Sequence, residues 1–191
     1  MKRFDVINHY IQKYSYKSYL EIGCQWGINL REIICPNKLA VDPDSKSAAD
    51  IKITSDEFFR LYHKTWDIIF IDGLHIESQV DRDIQNSLNV LNPNGTIILH
   101  DVNPMAEKHQ LETWDFSCAW NGTVWRSFVK LRATRPDLEM FVIDTDYGCG
   151  VIRHGRQSCI ELPKVFTYKD LELNREYMLK LVTTEWFDNH A

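Results

Sequence analysis

Glycine is scarce in this 191-residue chain, at eight residues, and nowhere does it form Gly-x-Gly-x-x-Gly. Without that fingerprint the usual phosphate cradle for a dinucleotide is missing. No uninterrupted apolar run exceeds four residues, as in Ile68 to Ile71, so no segment reads as a membrane-spanning helix. Cys24, Cys35, Cys118, Cys149 and Cys159 are odd in number, irregular in spacing and form no C-x-x-C. That excludes a disulfide framework or zinc site and fits reduced thiols in a cytoplasmic protein. Met1-Lys2-Arg3 is followed by Asp5, Asn8 and His9, which interrupt any signal-peptide core. There is no Lys/Arg-rich run, and 22 basic against 27 acidic residues give a net charge of −5. Nonspecific nucleic-acid binding is therefore not expected.

What is present is an ordinary globular composition, 44% hydrophobic and 26% charged, in a length that predicts one domain over 1–191. Phe4, Ile7, Ile11 and Tyr14 mark an amphipathic helix over 3–14. Short strands are expected at 19–22, 38–41, 51–54, 67–71 and 96–99. Helices are expected over 26–34, from an N-cap at Ser55 to about His63, and along Ile76, Val80, Ile84, Leu88 and Leu91. Asn92-Pro93-Asn94-Gly95 reads as a turn. Further on, 125–131 reads as helix, 140–143 and 150–153 as strands, and 168–183 as a final helix. The 144–148 link is too short for a crossover and suits an antiparallel hairpin. Strands alternating with helices predict an α/β doubly wound sheet, mostly parallel, with that C-terminal antiparallel hairpin and helices on both faces.

Ligands of such sheets sit beyond the carboxyl ends of the strands. Polar residues gather there: Glu21, Gly23 and Gly27, then Asp42 and Asp44, then Ser55 and Asp56, then Asp72 and His75, then His100, Asp101 and Asn103. The glycines let backbone approach a ligand, and Asp42 stands where a carboxylate accepts ribose hydroxyls. A turn shaped only by Gly23 and Gly27 is the plainer alternative.

Glu21-Ile22-Gly23-Cys24-Gln25-Trp26-Gly27, Val41-Asp42 and Phe70-Ile71-Asp72-Gly73 resemble the class I, Rossmann-like S-adenosylmethionine-dependent methyltransferases. Asp72-Gly73-Leu74-His75, Asp83 and Leu99-His100-Asp101 are similar to the small-molecule O-methyltransferase branch of catechol and macrolide-sugar type. The likeness covers about 18–153. It implies a cofactor site of Glu21, Gly23, Gly27, Asp42, Ser55, Asp56 and Asp72. It also implies a divalent cation, Mg²⁺ or Mn²⁺, at Asp72, Asp101 and His100, although His100 stands where sugar-type relatives often carry a carboxylate. His75 matches the general base of those relatives, and an imidazole titrating near ~6.5 can accept a hydroxyl proton. A histidine that bonds Asp83 or caps a helix is the alternative.

The stretch 103–123 is long for a plain connection and reads as a lid. Trp114, Trp120 and Asn103 are the residues expected to meet substrate, with Asp146 and Tyr147 adding to the same mouth. The resulting expectation is methyl transfer to a hydroxyl of a small acceptor, such as a sugar or glycan precursor. No nucleic-acid or membrane partner is expected, and a homo-oligomer stays open. A nucleotide-dependent oxidoreductase and a non-catalytic cofactor-binding module are the alternatives.

Overall fold

The computed structural model describes residues 1–114 and 116–190, so Asp115 of the expected lid and Ala191 lie outside it. One seven-stranded sheet organises the chain. Its strands are β1 (Ser18–Ile22), β2 (Asn37–Val41), β3 (Trp66–Ile71), β4 (Leu91–Leu99), β5 (Leu138–Ile143), β6 (Cys149–His154) and β7 (Leu181–Val182). Their spatial order is β2-β1-β3-β4-β6-β5-β7. The β2, β1, β3 and β4 ladders are parallel, and β6 runs antiparallel to both β4 and β5. The expected doubly wound, mostly parallel sheet with its C-terminal hairpin is thus the observed one.

The period-2 alternation of strands sorts the core into two layers. Ile69 and Ile71 face the layer built by α3 (Ser55–Leu61), α4 (Glu77–Asn89), α5 (Val124–Thr134) and α6 (Tyr168–Leu179). Ile68 and Phe70 face the layer of α1 (Arg3–Tyr14), α2 (Ile28–Glu32) and α7 (Thr184–His190). β3 is buried on both sides, which is why it reads as a continuous apolar run. Val80, Ile84 and Leu88 bury one stripe of α4, each stabilising the fold by on the order of 2 kcal/mol.

Several boundaries differ from the sequence reading. Residues 51–54 form no strand; only Ile51 bridges to Val41. Lys52 and Thr54 leave too little apolar surface there to hold an edge strand. The cap of α3 is Thr54, not Ser55, because the Thr54 hydroxyl accepts from the Glu57 amide at 3.2 Å. The expected helix over 26–34 shrinks to five residues, since Gly27 enters it at φ +66° and Ile33 is already extended. Asn92–Gly95 is not a free turn but part of β4, where pairing with β3 shifts register between Trp66 and Ile68.

The final helix ends at Leu179 and kinks at Asn174. Lys180 turns left-handed, Leu181 and Val182 add β7 beside β5, and α7 follows. The apolar pattern at Leu181 and Val182 belongs to the sheet edge rather than to a helix face. No helix among the described residues is long and apolar enough to cross a membrane.

Candidate active site

The carboxyl ends of β1, β3 and β4 converge where β1 parts toward β2 on one side and β3 on the other. The β1 loop turns at Gly23, φ +82°, where a Cβ would stand 2.2 Å from the Asp72 carbonyl oxygen. Only glycine lets the β1 and β3 loops touch this closely. Asp42, at the end of β2, braces the same loop. Its Oδ2 accepts from the Cys24 and Gln25 amides at 3.0 and 2.9 Å, and its Oδ1 from the Asp44 amide at 2.9 Å. A carboxylate accepts about four bonds. One lone pair of Oδ1 therefore remains for a ligand, fewer than the pair of hydroxyls expected of it.

Glu21 is buried beneath this loop. It accepts from the Tyr19 hydroxyl and from Asn29 Nδ2, and burial pushes its carboxyl up to about 7. Ser55 and Asp56 begin α3, and Gln79 Nε2 on α4 donates to both of them, at 3.1 and 3.2 Å, and to Asp83 at 3.0 Å. They sit on the α3–α4 side of the cleft, apart from the acid cluster.

That cluster holds Asp72 after β3 and His100 and Asp101 after β4, with His75 on the way into α4. His75 Nε2 lies 3.2 Å from Asp72 Oδ1 and 3.6 Å from Asp101 Oδ2, while Nδ1 faces the Trp120 carbonyl at 3.2 Å. Both ring nitrogens face acceptor oxygens, so Nδ1–H serves the Trp120 carbonyl and a proton on Nε2 is shared with the acids. Burial pulls the His75 pKa down, but the bond to Asp72 and the charges of Asp101 and Asp72 outweigh it, and the net direction is up. His75 does not bond Asp83; its partners are the two acids and the lid.

His100 is buried, with Nδ1 at 2.8 Å from Asp101 Oδ2 and 3.3 Å from Asp72 Oδ1, and Nε2 at 3.9 Å from Asp146 Oδ2. Burial disfavours its charge, yet Asp72 and Asp101 raise it to about 10. Asp72 moves the other way: burial would raise it, and the His100 charge and bond hold it well below the carboxylate range. Asp101 adopts a left-handed φ of +61°, a conformation uncommon outside glycine that aspartate tolerates better than most residues.

Two partners were not legible in the sequence. Arg3, at the start of α1, sends Nη1 to Asp72 Oδ2 at 2.8 Å and Nε to Asp146 Oδ2 at 3.0 Å. Asn121 donates to Asp101 Oδ1 at 2.9 Å. The Asn121-Gly122 turn signal was visible, but nothing local announces that the first helix begins at this cleft. Asp146, expected at the mouth, is there through Arg3.

The lid contains a short 3₁₀ turn, Glu107–Gln110, and otherwise no regular element among its described residues. Trp120 stacks on His75 with ring centres 5.0 Å apart, and Trp114 lies parallel to Trp120 at 6.1 Å. Asn103 is placed differently. It is 1% exposed, donates to Asp144 Oδ1 at 3.0 Å and accepts from Arg175, so its amide joins loops rather than lining the mouth.

Asp72, His75 and Asp101 each bring a ligand atom within 4.8 Å of the others, a spacing suited to a cation. The charges fit it poorly. All four oxygens of Asp72 and Asp101 face Arg3, His75, His100 or Asn121. A divalent ion there would share Asp72 with the Arg3 guanidinium, whose Nη1 is 2.8 Å from Oδ2. The residues as placed do not fit Mg²⁺ or Mn²⁺.

Residues 38–102, about a third of the chain, match the methyltransferase-domain family model Methyltransf_24. No curated protein matches the chain. Among solved structures, cofactor-bound Rv0187 from MTB is similar at 14% identity and TM-score 0.61, covering 81% of this chain and 80% of that one. An SAH-bound Podospora anserina methyltransferase is similar at 14% identity and TM-score 0.59, with 80% and 78% covered. The Streptomyces achromogenes O-methyltransferase TomG, involved in tomaymycin synthesis and solved with SAM, is similar at 13% identity and TM-score 0.60, with 80% and 79% covered. The chain has the fold of the class I S-adenosylmethionine-dependent methyltransferases, and residues 38–102 carry the methyltransferase-domain pattern.

Proposed function

We propose that the protein transfers a methyl group from S-adenosylmethionine to a hydroxyl of a small acceptor. The carrying observation is the His75 imidazole, held by the Trp120 carbonyl at one nitrogen and facing Asp72 and Asp101 with the other, beside a glycine turn of the cofactor-binding type. The Gly23–Gly27 turn, with Asp42 behind it, is the reading for the cofactor, and Ser55 and Asp56 flank the same cleft. The S-adenosylmethionine and SAH of the structural neighbours support that placement.

A sulfonium methyl is already activated, so the protein's task is alignment and proton removal. The acceptor oxygen attacks the methyl carbon, the carbon–sulfur bond breaks, and sulfur keeps the electron pair. The hydroxyl proton passes to His75 Nε2, where Asp72 and Asp101 stabilise the imidazolium. The stacked Trp120 and Trp114 offer flat apolar surface to a sugar or aromatic ring, which fits a ring-bearing acceptor.

Calorimetric titration with S-adenosylmethionine, SAH and NADH separates the readings. Binding of the first two, followed by label transfer from methyl-labelled cofactor to a hydroxylated acceptor pool, supports methyl transfer. Binding of NADH instead sinks it in favour of an oxidoreductase. Cofactor binding without transfer to any acceptor leaves a binding module.

A further inference from the structure

We propose that Arg3 is the resident cation of this site, its guanidinium paired with the same Asp72 carboxylate that a divalent ion at Asp72, His75 and Asp101 would use, so that methyl transfer here proceeds without metal. The inference rests on the methyl-transfer reading above and adds the identity of the group that steadies the acceptor oxygen.

Arg3 reaches the cluster from outside the sheet. Its Nη1 is 2.8 Å from Asp72 Oδ2, and its Nε and backbone amide are both 3.0 Å from Asp146 Oδ2. Two side-chain bonds thus fix the planar group in one orientation, and the backbone amide anchors the residue to the same Asp146 oxygen. Nη2 makes no hydrogen bond among the described residues, and the side chain is 29% exposed, so a donor is left over for a ligand. A guanidinium keeps its charge at any working pH and offers N–H donors in a rigid fork.

The acceptor's hydroxyl gains negative character as the oxygen–carbon bond forms and the proton leaves for His75 Nε2. A fixed N–H donor at that oxygen stabilises the developing charge, the service a Lewis-acidic ion performs elsewhere. Electrostatics oppose having both. Asp72 already carries the Arg3 guanidinium at 2.8 Å from Oδ2, so a dication held by Asp72, His75 and Asp101 would share that carboxylate with a second cation.

The test follows Mn²⁺ by the loss of its free paramagnetic signal, with and without S-adenosylmethionine, in the full chain and in Arg3→Ala and Arg3→Lys. The wild-type chain is expected to take up no stoichiometric Mn²⁺ and to keep its turnover after exhaustive chelation. Arg3→Ala should lose turnover on the order of a hundredfold, while cofactor affinity stays within about threefold, and Arg3→Lys should recover part of the loss. One Mn²⁺ bound per wild-type chain, loss of turnover on chelation, or wild-type turnover in Arg3→Ala overturns the proposal. The wild-type Mn²⁺ titration needs neither folding of a variant nor catalysis. Failure to bind S-adenosylmethionine therefore strikes the methyl-transfer reading, whereas Mn²⁺ uptake strikes the role of Arg3.

Discussion

Gly122 lies so close to His75 that a Cβ at position 122 would stand 2.0 Å from the His75 carbonyl oxygen. Its φ is +58°, and the next amide, of Thr123, donates to that same oxygen at 2.8 Å. The end of the lid is thereby fastened to the loop that carries the imidazole. Gly122→Ala must either move His75 or open the lid. The expected result is a melting temperature lower by several degrees and turnover reduced at least tenfold, read by thermal melts and initial rates. Unchanged turnover would mean that the lid does not position His75.

His75→Gln keeps much of the volume and removes the base. Turnover is expected to fall by about 10²–10⁴, with cofactor affinity unchanged by calorimetry. The wild-type pH profile carries a second mark. The neutral imidazole is the active form, and the Asp72 bond and the acid charges outweigh burial to raise its pKa. The rate should therefore climb with pH through a midpoint above the ordinary histidine value of ~6.5. A midpoint below it would contradict the assignment.

Glu21 ties stability to pH in one direction. Burial raises its carboxyl from 4.5 to about 7. A folded-state pKa above the unfolded one contributes stability that is complete below the unfolded value and is lost as pH rises through the folded value. The wild-type chain should thus lose on the order of 3 kcal/mol from this group between pH 4.5 and 7. Glu21→Gln should flatten that part of the curve. Parallel pH curves for the two proteins in denaturant titrations would remove Glu21 as the cause.

Asp42→Asn tests the β1 loop. The carboxylate accepts the Cys24 and Gln25 amides on one oxygen and the Asp44 amide on the other. An amide has a single acceptor oxygen, so one side must be left unpaired. Bonds to a charged acceptor stabilise by about 1.5–3 kcal/mol, which predicts S-adenosylmethionine binding weakened tenfold or more. Affinity within twofold of wild type would show that the loop holds its shape unaided.

The central strands were readable because burial on both faces leaves only apolar residues, as at Ile68–Ile71. The strand-end acids followed from the same alternation. The edges were harder. Residues 51–54 have β-branched character but only one bridge, and Leu181–Val182 continue a helical apolar spacing although they pair with β5. Periodicity records which side chains are buried, not which neighbour buries them. Arg3 was invisible for a related reason: its partners Asp72 and Asp146 are set by where α1 packs, and no local pattern encodes that. Asn103 misled by position, since it follows β4 closely but turns toward Asp144 and Arg175.

The bond between Arg3 and Asp146 spans 143 positions of chain. During synthesis Arg3 leaves the ribosome 143 residues ahead of its second acid. Until the β5–β6 hairpin joins the sheet, Arg3 has Asp72 alone, and Asn103 and Asn121 lack the backbone carbonyl of Tyr147. The nascent chain therefore carries its acids and its imidazole for many seconds before they form a working centre, and a chain truncated ahead of the hairpin would keep most of the parallel strands yet be unable to close it.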